Sequence, residues 1–270
     1  MPIFYTLPPW RIKYPYILIN NRNPEQGLKY LINYGHWRHT KKIIIDTGIE
    51  IFRDKEIKDY PGGYKHHTRR QVLLYEKIRK IARYAEVYVT IPDYPDDYHP
   101  KNLWISREYT NIERTIDSVF YAITNYPNIN WLIPVQGWNH RPKSVIHSLQ
   151  LLYRRDFPFE RYNYYAIANL CVEQKCDIIV RTVEYAYNWF KDVLGYIPRI
   201  HLFGPKLRCV RKIVDKIYSW DSMAWTRPVE HGLHKKYPWS AKNEEQRELF
   251  FMKYLEHIYK SVIGNDYGYT

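Results

Sequence analysis

The 270-residue sequence predicts a single α/β domain, most simply a (β/α)8 TIM barrel. Seven or eight short runs rich in β-branched and aromatic residues recur along the chain, and helical stretches separate most of them. Strands that alternate with helices build parallel sheets, and barrels of about 250 residues are commonly one domain. An open doubly wound sheet gives the same alternation and is the alternative. Without an internal repeat, linker or low-complexity tract, residues 1–270 are predicted to form one domain.

The individual elements follow from these runs. The predicted strands are IFYT (3–6), YILIN (16–20), KIIID (42–46), VYVTI (87–91), WLIPV (131–135), YYAIA (164–168), RIHLF (199–203) and IYSWD (217–221). The predicted helices cover 68–85, 106–125, 142–155, 176–195 and 205–218. Residues 243–264 are predicted to form an amphipathic closing helix. Pro142 and Asp177 suit the first turn of a helix, and Gly195 suits a helix stop.

The balance of charge predicts a polyanionic partner. The chain has a formal net charge of +13, and 17% of its residues are aromatic. Nucleic acid is the first candidate and an anionic membrane surface the second, whereas general solubility is the alternative explanation. No run approaches the ~18 apolar residues of a membrane-spanning helix, and MPIFYTLPPW does not resemble a signal peptide. We therefore expect a soluble protein.

The cysteine content indicates a reducing, intracellular setting. The chain has three cysteines, Cys171, Cys176 and Cys209, an odd number without a close CxxC pair. This argues against a disulfide framework and against a closed zinc site, and it favours unpaired thiols in the cytoplasm. Cys171 and Cys176 could join His201 and Cys209 in a metal site, but buried thiols without a ligand are the preferred interpretation.

Polar residues stand at the carboxyl ends of several predicted strands. These are Asp46, Asp93, Gln136, His201 and Asp221. In a barrel such positions converge on the face that carries the active site, although a single acid there is more often a helix cap. Two carboxylates suit a double displacement at an anomeric carbon, with one attacking and one moving a proton. A third acid with a carboxamide suits the hydrogen-bonding edge of a guanine-like base.

Six motifs in order resemble the tRNA-guanine transglycosylase superfamily, and within it the virus-encoded branch that places 7-deazaguanine bases in DNA. The motifs are IIIDTG (43–48), IPDYPDD (91–97), PVQG (134–137), YAIANLC (165–171), RIHLFG (199–204) and DSMAWTR (221–227). They resemble, in turn, the family's Asp-Ser-Gly-Gly strand end, its second acidic strand end, Val-Gln-Gly, a glycine-rich strand, His-x-x-Gly and Asp-Cys-Val-x-Pro-Thr-Arg. The resemblance covers most of the chain, from about Ile43 to Pro228.

The resemblance implies a pentosyltransferase with two catalytic carboxylates. Asp221 would be the nucleophile that attacks the sugar C1′ and holds the nucleic acid covalently. Asp46 would be the general acid/base for the departing and arriving base. Arg227 would lie against the polynucleotide backbone, although a surface arginine paired with an acid is an equal alternative.

The resemblance also implies a base-binding set and a cofactor. Asp93 and Gln136 would bind the base edge, and backbone groups near Gly137, Ala166 and Ile167 would close it. The family's glycine and aromatic after the proton-shuttling acid are replaced by Ile49 and Glu50, so Phe52 or Tyr94 would have to supply the stacking wall. The tRNA enzymes also carry a C-terminal zinc cluster, and the absence of cysteine after Pro228 predicts no such zinc and no other cofactor.

The predicted function is therefore exchange of guanine in DNA for a free 7-deazaguanine base. Transfer RNA is the alternative substrate. A catalytically inactive nucleic-acid-binding barrel and a barrel N-glycoside hydrolase are the alternative functions. The abundance of Tyr, Ile and Lys resembles proteins from viruses of heat-loving archaea, which implies the host cytoplasm and no membrane.

Overall fold

The computed structural model describes residues 1–55, 58–96, 109–171, 173–226 and 244–262. Eight parallel strands form one sheet in the order β1-β8-β7-β6-β5-β4-β3-β2. The strands are β1 Ile3–Tyr5, β2 Tyr16–Asn20, β3 Lys42–Asp46, β4 Glu86–Thr90, β5 Trp131–Val135, β6 Tyr164–Ile167, β7 Arg199–Leu202 and β8 Ser219–Asp221. All eight predicted strands are confirmed within one or two residues.

The sheet closes on itself beside β1 and β2. Thr6 forms a parallel bridge with Ile17. Its N–H donates to Tyr16 O at 3.3 Å, and Leu18 N–H donates to Thr6 O at 3.0 Å. The edge strands of the order above are thereby joined, so the architecture is the predicted (β/α)8 barrel and not an open sheet.

The helices lie between the strands, in the chain order expected of a barrel. They are α1 Pro24–Ile32, α2 Glu50–Lys55, α3 Gly63–Ile81, α4 Thr110–Asn125, α5 Ser144–Arg154, α6 Cys176–Trp189, α7 Leu207–Val210 and α8 Glu244–Val262. A wide π turn, Phe190–Leu194, extends α6 to Gly195, whose φ of 77° ends the helix as predicted. Among the described residues, none of the helices combines the length and the apolar composition that crossing a bilayer requires.

Three features of the helices differ from the prediction. The helix predicted over 68–85 is α3, which begins five residues earlier, at Gly63, and ends four residues earlier, at Ile81. The sequence analysis missed the short helices α1 and α2. The predicted helix 205–218 shrinks to one turn, α7, because the chain continues in i→i+3 turns, with Lys212 N–H bonded to Cys209 O and Ile213 N–H to Val210 O. These turns bury Ile213 and leave enough chain to reach β8.

The cysteine prediction is wrong for two of the three residues. Cys176, the first residue of α6, is joined by a disulfide to Cys209 in α7, whereas Cys171 is not part of a disulfide. The partners are 33 residues apart, so their spacing carries no signal, and the fold brings them together. Disulfides are rare in most cytosols but frequent in intracellular proteins of hyperthermophiles, so the cysteines no longer indicate a reducing compartment.

The strand period of two sorts side chains into two cores. One cluster fills the barrel interior with Tyr5, Leu18, Ile44, Tyr88, Leu132, Tyr164 and Ala166. The larger cluster, which includes Ile43, Ile45, Tyr165 and Ile167, packs between the strands and the helices. Counting two residues from Ile44 reaches Asp46, and two residues from Ala166 reach Ala168. The last inward positions of the strands therefore meet at the carboxyl end of the barrel.

Candidate active site

A cavity of about 730 Å³ opens at the carboxyl end of the barrel. Its size is in the usual range for small-molecule sites. Its lining comes from the ends of five strands, from the segments that follow them, and from α8. The lining residues are Asp46, Thr47, Ile49 and Glu50 at the end of β3, Asp93 after β4, Ala168, Asn169, Cys171 and Gln174 after β6, residues 203–208 after β7, residues 221–224 at the end of β8, and Tyr254 and His257 of α8. The structure thus brings together three predicted site residues from three strands: Asp46, Asp93 and Asp221.

Asp46, the last residue of β3, lies among other acids. Its Oδ1 accepts a hydrogen bond from Thr47 N–H at 2.8 Å, and its Oδ2 accepts one from Asn20 Nδ2 at 3.3 Å. Burial raises the pKa of Asp46 well above its usual range, and the negative charges of Glu50, Asp221 and Asp93 raise it further. A carboxyl group in this setting keeps a proton to higher pH than an exposed aspartate does.

Asn20 and Glu50 complete the surroundings of Asp46. The Nδ2 of Asn20 also donates to both carboxylate oxygens of Glu50, at 3.2 and 3.1 Å. Gly48 makes this approach possible, because it has a φ of 76° and a Cβ there would lie 2.8 Å from Asn20 Oδ1. The sequence analysis did not select Asn20, although it ends β2 as Asp46 ends β3 and pairs with it in register. Glu50 was noted only as a departure from the family pattern.

Asp93 is almost fully buried and hydrogen-bonded to protein groups. Thr47 Oγ1 donates to its Oδ1 at 3.2 Å, and Gln136 Nε2 donates to its Oδ2 at 3.1 Å. Gln136 Nε2 also donates to Tyr94 O at 2.8 Å, so both amide protons of this glutamine are engaged. Burial raises the pKa of Asp93 to about 7 in spite of these hydrogen bonds.

The remaining predicted base-binding residues lie away from the cavity. Of the described residues that line it, none is Gln136, Gly137, Ala166 or Ile167. Ala166 packs inside the barrel, Ile167 faces the helices, and Gly137 N–H donates to Gln136 Oε1 at 3.2 Å. The alternation of inward and outward residues explains this placement. Ala166 and Ala168 face inward, and Ala168 is the one that reaches the cavity, whereas Ile167 between them faces outward.

Asn169, the polar residue that follows β6, lies next to Gly137. It lines the cavity, and its φ of 66° is in the left-handed region. A Cβ on Gly137 would lie 3.0 Å from Asn169 Nδ2. The Oδ1 of Asn169 is buried, and no described residue donates a hydrogen bond to it. An unsatisfied acceptor and a left-handed backbone in one cavity residue are typical of a binding position.

Asp221, the last residue of β8, has an imidazole and a backbone N–H at one oxygen, whereas Asp46 lies among acids. His201 Nε2 lies 3.1 Å from its Oδ1, and Gly204 N–H donates to the same oxygen at 3.2 Å. His201 Nδ1 lies 2.8 Å from Ser219 Oγ. The serine, histidine and aspartate resemble a hydrolase triad, but Ser219 is fully buried and only Asp221 reaches the cavity. This arrangement excludes Ser219 as an acyl-transfer nucleophile.

Neither aromatic residue suggested as the stacking wall borders the cavity. Phe52 and Tyr94 pack with Tyr60 in a separate buried cluster. The cavity wall instead contains Phe203, which follows β7, and Tyr254 of α8. Phe203 is the inward residue two positions beyond His201, so the period of two could have identified it.

Positive charge also lines the cavity. Lys206 and Arg208 line it beside His257 of α8. Arg208 Nη2 donates to Gln174 O at 2.7 Å, and the next residue, Cys209, is tied to α6 by the disulfide. The predicted backbone contact, Arg227, lies outside the described residues.

The described part of the chain contains no group of three or more His, Cys, Asp and Glu side chains that could hold a metal ion. His201 faces Ser219 and Asp221, and two of the cysteines are bonded to each other, so the metal site considered from the sequence does not form. In comparisons with known proteins, no family model matches this chain and no curated protein matches it.

Proposed function

We propose that the protein exchanges a base in nucleic acid, replacing guanine in DNA with a free 7-deazaguanine through a covalent intermediate on Asp221. The observation that supports this most is the pair of carboxylates in one cavity with opposite surroundings. Asp46 lies among acids that raise its pKa, whereas Asp221 is held by hydrogen-bond donors. Carboxyl groups whose environments separate their protonation states are typical of an acid and nucleophile pair.

In the first half-reaction, a carboxylate oxygen of Asp221 forms a bond to C1′ of the sugar. The bond from C1′ to the base nitrogen breaks, and its electron pair leaves with the base. Asp46, which retains its proton, donates it to the departing base and becomes a carboxylate. The second half-reaction runs in reverse: Asp46 takes a proton from the incoming base, whose nitrogen displaces Asp221 from C1′.

The base edge is assigned to Asp93 and Asn169. Each oxygen of Asp93 accepts one protein hydrogen bond and keeps a further acceptor position for the N–H groups of a guanine-like edge. Asn169 Oδ1 offers a second acceptor. Gln136 then positions Asp93, since its amide protons bond to Asp93 and Tyr94 O. This assignment replaces the direct base contact that the resemblance implies for Gln136.

A polynucleotide substrate is supported by charge. The chain carries a net charge of +13, and Lys206 and Arg208 extend that charge to the cavity wall. Cations beside the cavity offset the repulsion between its acids and the phosphates of a bound strand. The choice of DNA over tRNA rests on the sequence motifs, with tRNA as the alternative substrate.

The test is base exchange in vitro. The protein is incubated with DNA oligonucleotides or tRNA and with labelled guanine or a 7-deazaguanine base. We expect incorporation of label into DNA and, when free base is withheld, a denaturant-stable protein–DNA adduct. Release of guanine without incorporation would indicate an N-glycoside hydrolase, and binding without either product would indicate an inactive barrel.

The matched variants are Asp221→Asn and Asp215→Asn. Both remove one carboxylate, but Asp215 lies on an exposed turn before β8, at the opposite end of the strand. Asp221→Asn is expected to lose exchange by at least about 10⁴-fold and to form no adduct, with nucleic-acid affinity within a few-fold of wild type. Asp215→Asn is expected to behave as wild type.

A further inference from the structure

A chain of hydrogen bonds runs from the cavity into the barrel interior. It joins Asp221 Oδ1 to His201 Nε2 at 3.1 Å, His201 Nδ1 to Ser219 Oγ at 2.8 Å, and Ser219 Oγ to Tyr164 OH at 2.5 Å. His201 and Ser219 have no exposed surface, and Tyr164 is 1% exposed. The four residues come from β6, β7 and β8, so adjacent strands of the barrel fix their order.

The number of protons along this chain allows two arrangements when the imidazole is neutral. In the first, Tyr164 donates to Ser219, Ser219 donates to His201 Nδ1, and His201 Nε2–H donates to Asp221. In the second, every bond is reversed, His201 carries its proton on Nδ1, and Asp221 must hold a proton on Oδ1 to donate to Nε2.

A second donor separates the two arrangements. Gly204 N–H points to the same oxygen, Asp221 Oδ1, at 3.2 Å. A backbone N–H only donates, and its bond to a carboxylate is stronger than its bond to a protonated carboxyl oxygen. Two donors on Oδ1 therefore favour the first arrangement. Among the described residues, both donors reach Oδ1 and not Oδ2.

We propose that His201 is a positioning residue, with its proton on Nε2, that keeps Asp221 a carboxylate and leaves Oδ2 as the attacking oxygen. The proposal rests on the nucleophilic role assigned to Asp221 above. In the attack, a lone pair of Oδ2 forms the bond to C1′, and the base leaves with the electron pair and the proton from Asp46. His201 neither gains nor loses a proton, and Oδ1 keeps its two donors through the step.

The first test determines which nitrogen of His201 is protonated. The full-length protein is labelled with ¹⁵N-histidine, and the His201 signals are assigned by their loss in His201→Gln. The spectra are recorded near pH 8, above the ordinary histidine pKa, and we expect the proton of the neutral ring on Nε2. A neutral ring protonated on Nδ1, or a charged ring, would overturn the proposal. In Ser219→Ala, which removes the donor to Nδ1, the form with the proton on Nε2 is expected to persist, because Asp221 Oδ1 still accepts from it.

The second test measures adduct formation in three barrel-interior variants. His201→Leu removes the donor and should slow adduct formation by about 10- to 100-fold, with the Kd for DNA unchanged. His201→Gln keeps an amide donor and should recover to within about tenfold of wild type. Tyr164→Phe removes a hydroxyl two hydrogen bonds beyond His201 and should stay within about threefold.

The outcomes separate this proposal from the proposed function. Where the wild type forms the adduct, an equal rate in His201→Leu would overturn the positioning role. The expected Nε2 tautomer in a wild-type protein that forms no adduct would instead overturn the transglycosylase assignment and keep the hydrogen-bond assignment. The melting temperature of each variant identifies any that fails to fold, and the tautomer in Ser219→Ala then decides the case.

Discussion

The two sides of the cavity place the same residue type, an aspartate, in opposite surroundings. On the β3 side, Asp46 shares the Asn20 amide with Glu50 and lies within reach of the charges of Asp93 and Asp221. On the β8 side, Asp221 has an imidazole and a backbone N–H on one oxygen. Both aspartates end a strand and face inward, so strand geometry alone does not distinguish them.

The difference teaches that the neighbours of a strand-end acid decide its chemistry. Acids around Asp46 oppose its ionisation, which suits a group that must carry a proton to a leaving base. The imidazole and the backbone N–H at Asp221 hold one of its oxygens in place, which suits a group that must attack. If this division is correct, each aspartate should fail in its own way when it is changed.

The largest expected effect depends on whether the departing base needs a proton, and this dependence distinguishes Asp46 from Asp221. Asp46→Asn should slow adduct formation on guanine-containing DNA by about 10²- to 10⁴-fold, because the departing base is no longer protonated. On DNA that contains 7-methylguanine, whose positive charge lets it leave without a proton, the same variant should recover most of that loss. The measurement is the single-turnover rate of adduct formation on both substrates.

Asp221→Asn is the control for this comparison, since a better leaving group cannot replace a missing nucleophile. It should remain inactive on both DNAs. Equal losses for Asp46→Asn on the two substrates would contradict the role of Asp46 as an acid. Recovery of Asp221→Asn on the methylated DNA would contradict the covalent step.

Much of this comparison could be predicted from the sequence. The alternation of apolar runs and helical stretches predicts parallel strands whose inward residues meet at one end. The bridge between Thr6 and Ile17, which the alternation does not predict, distinguishes the barrel from an open sheet. The same reasoning placed Asp46, Asp93 and Asp221 at one cavity. Asn20 and Phe203 follow the same rule, so the alternation of inward residues also predicts that they face the cavity.

Other parts of the site depend on contacts that no local pattern encodes. Glu50 meets Asn20 only because Gly48 adopts a left-handed backbone that places the two side chains together. Cys176 meets Cys209 across 33 residues of sequence. The engagement of Gln136 by Asp93 and Tyr94 also appears only once the strands are packed, and it is why the glutamine does not face the cavity.

The second prediction concerns Asp93 and the stability of the fold. Burial raises its pKa from 3.8 to about 7, so the native state holds this proton between about pH 4 and 7 whereas the unfolded chain releases it. Asp93 therefore lowers the free energy of unfolding as pH rises through this window, by up to about 4 kcal/mol. Asp93→Asn lacks this loss and should gain stability relative to wild type from pH 4 to pH 8.

Denaturant unfolding at several pH values checks this prediction, with Asp215→Asn as the exposed control. Asparagine fits the site, because its side-chain oxygen can accept from Gln136 while its amide donates to the Thr47 hydroxyl. The Thr47 hydroxyl, which donates to Asp93 in the wild type, then accepts. Parallel stability curves for Asp93→Asn and wild type across this pH range would show that Asp93 is ionised at low pH and not held neutral by burial.

A third, smaller effect is expected on the cationic wall beside β8. The double variant Lys206→Gln/Arg208→Gln should weaken DNA binding about tenfold and reduce the slope of log K against log salt by about 1 to 2. The control is Lys212→Gln/Arg181→Gln, which removes the same charge from exposed positions outside the cavity lining. An equal loss in the control would indicate that net charge, and not this wall, attracts the strand.

The smallest effect should come from Glu50→Gln, which alters the surroundings of Asp46 without touching either aspartate. The charge of Glu50 helps to raise the pKa of Asp46, so its removal lowers that pKa, while glutamine still accepts from Asn20. Base departure requires the protonated acid, and its rate falls as pH rises through the pKa of Asp46. The falling limb of the pH–rate profile should therefore move to lower pH, with a loss of about two- to five-fold near neutral pH.

The exposed Glu160, which precedes β6 at the opposite end of the barrel, supplies the control Glu160→Gln. A limb that stays in place in Glu50→Gln, or moves equally in both variants, would mean that the acids around Asp46 do not set its proton affinity, and the contrast with Asp221 would lose its cause.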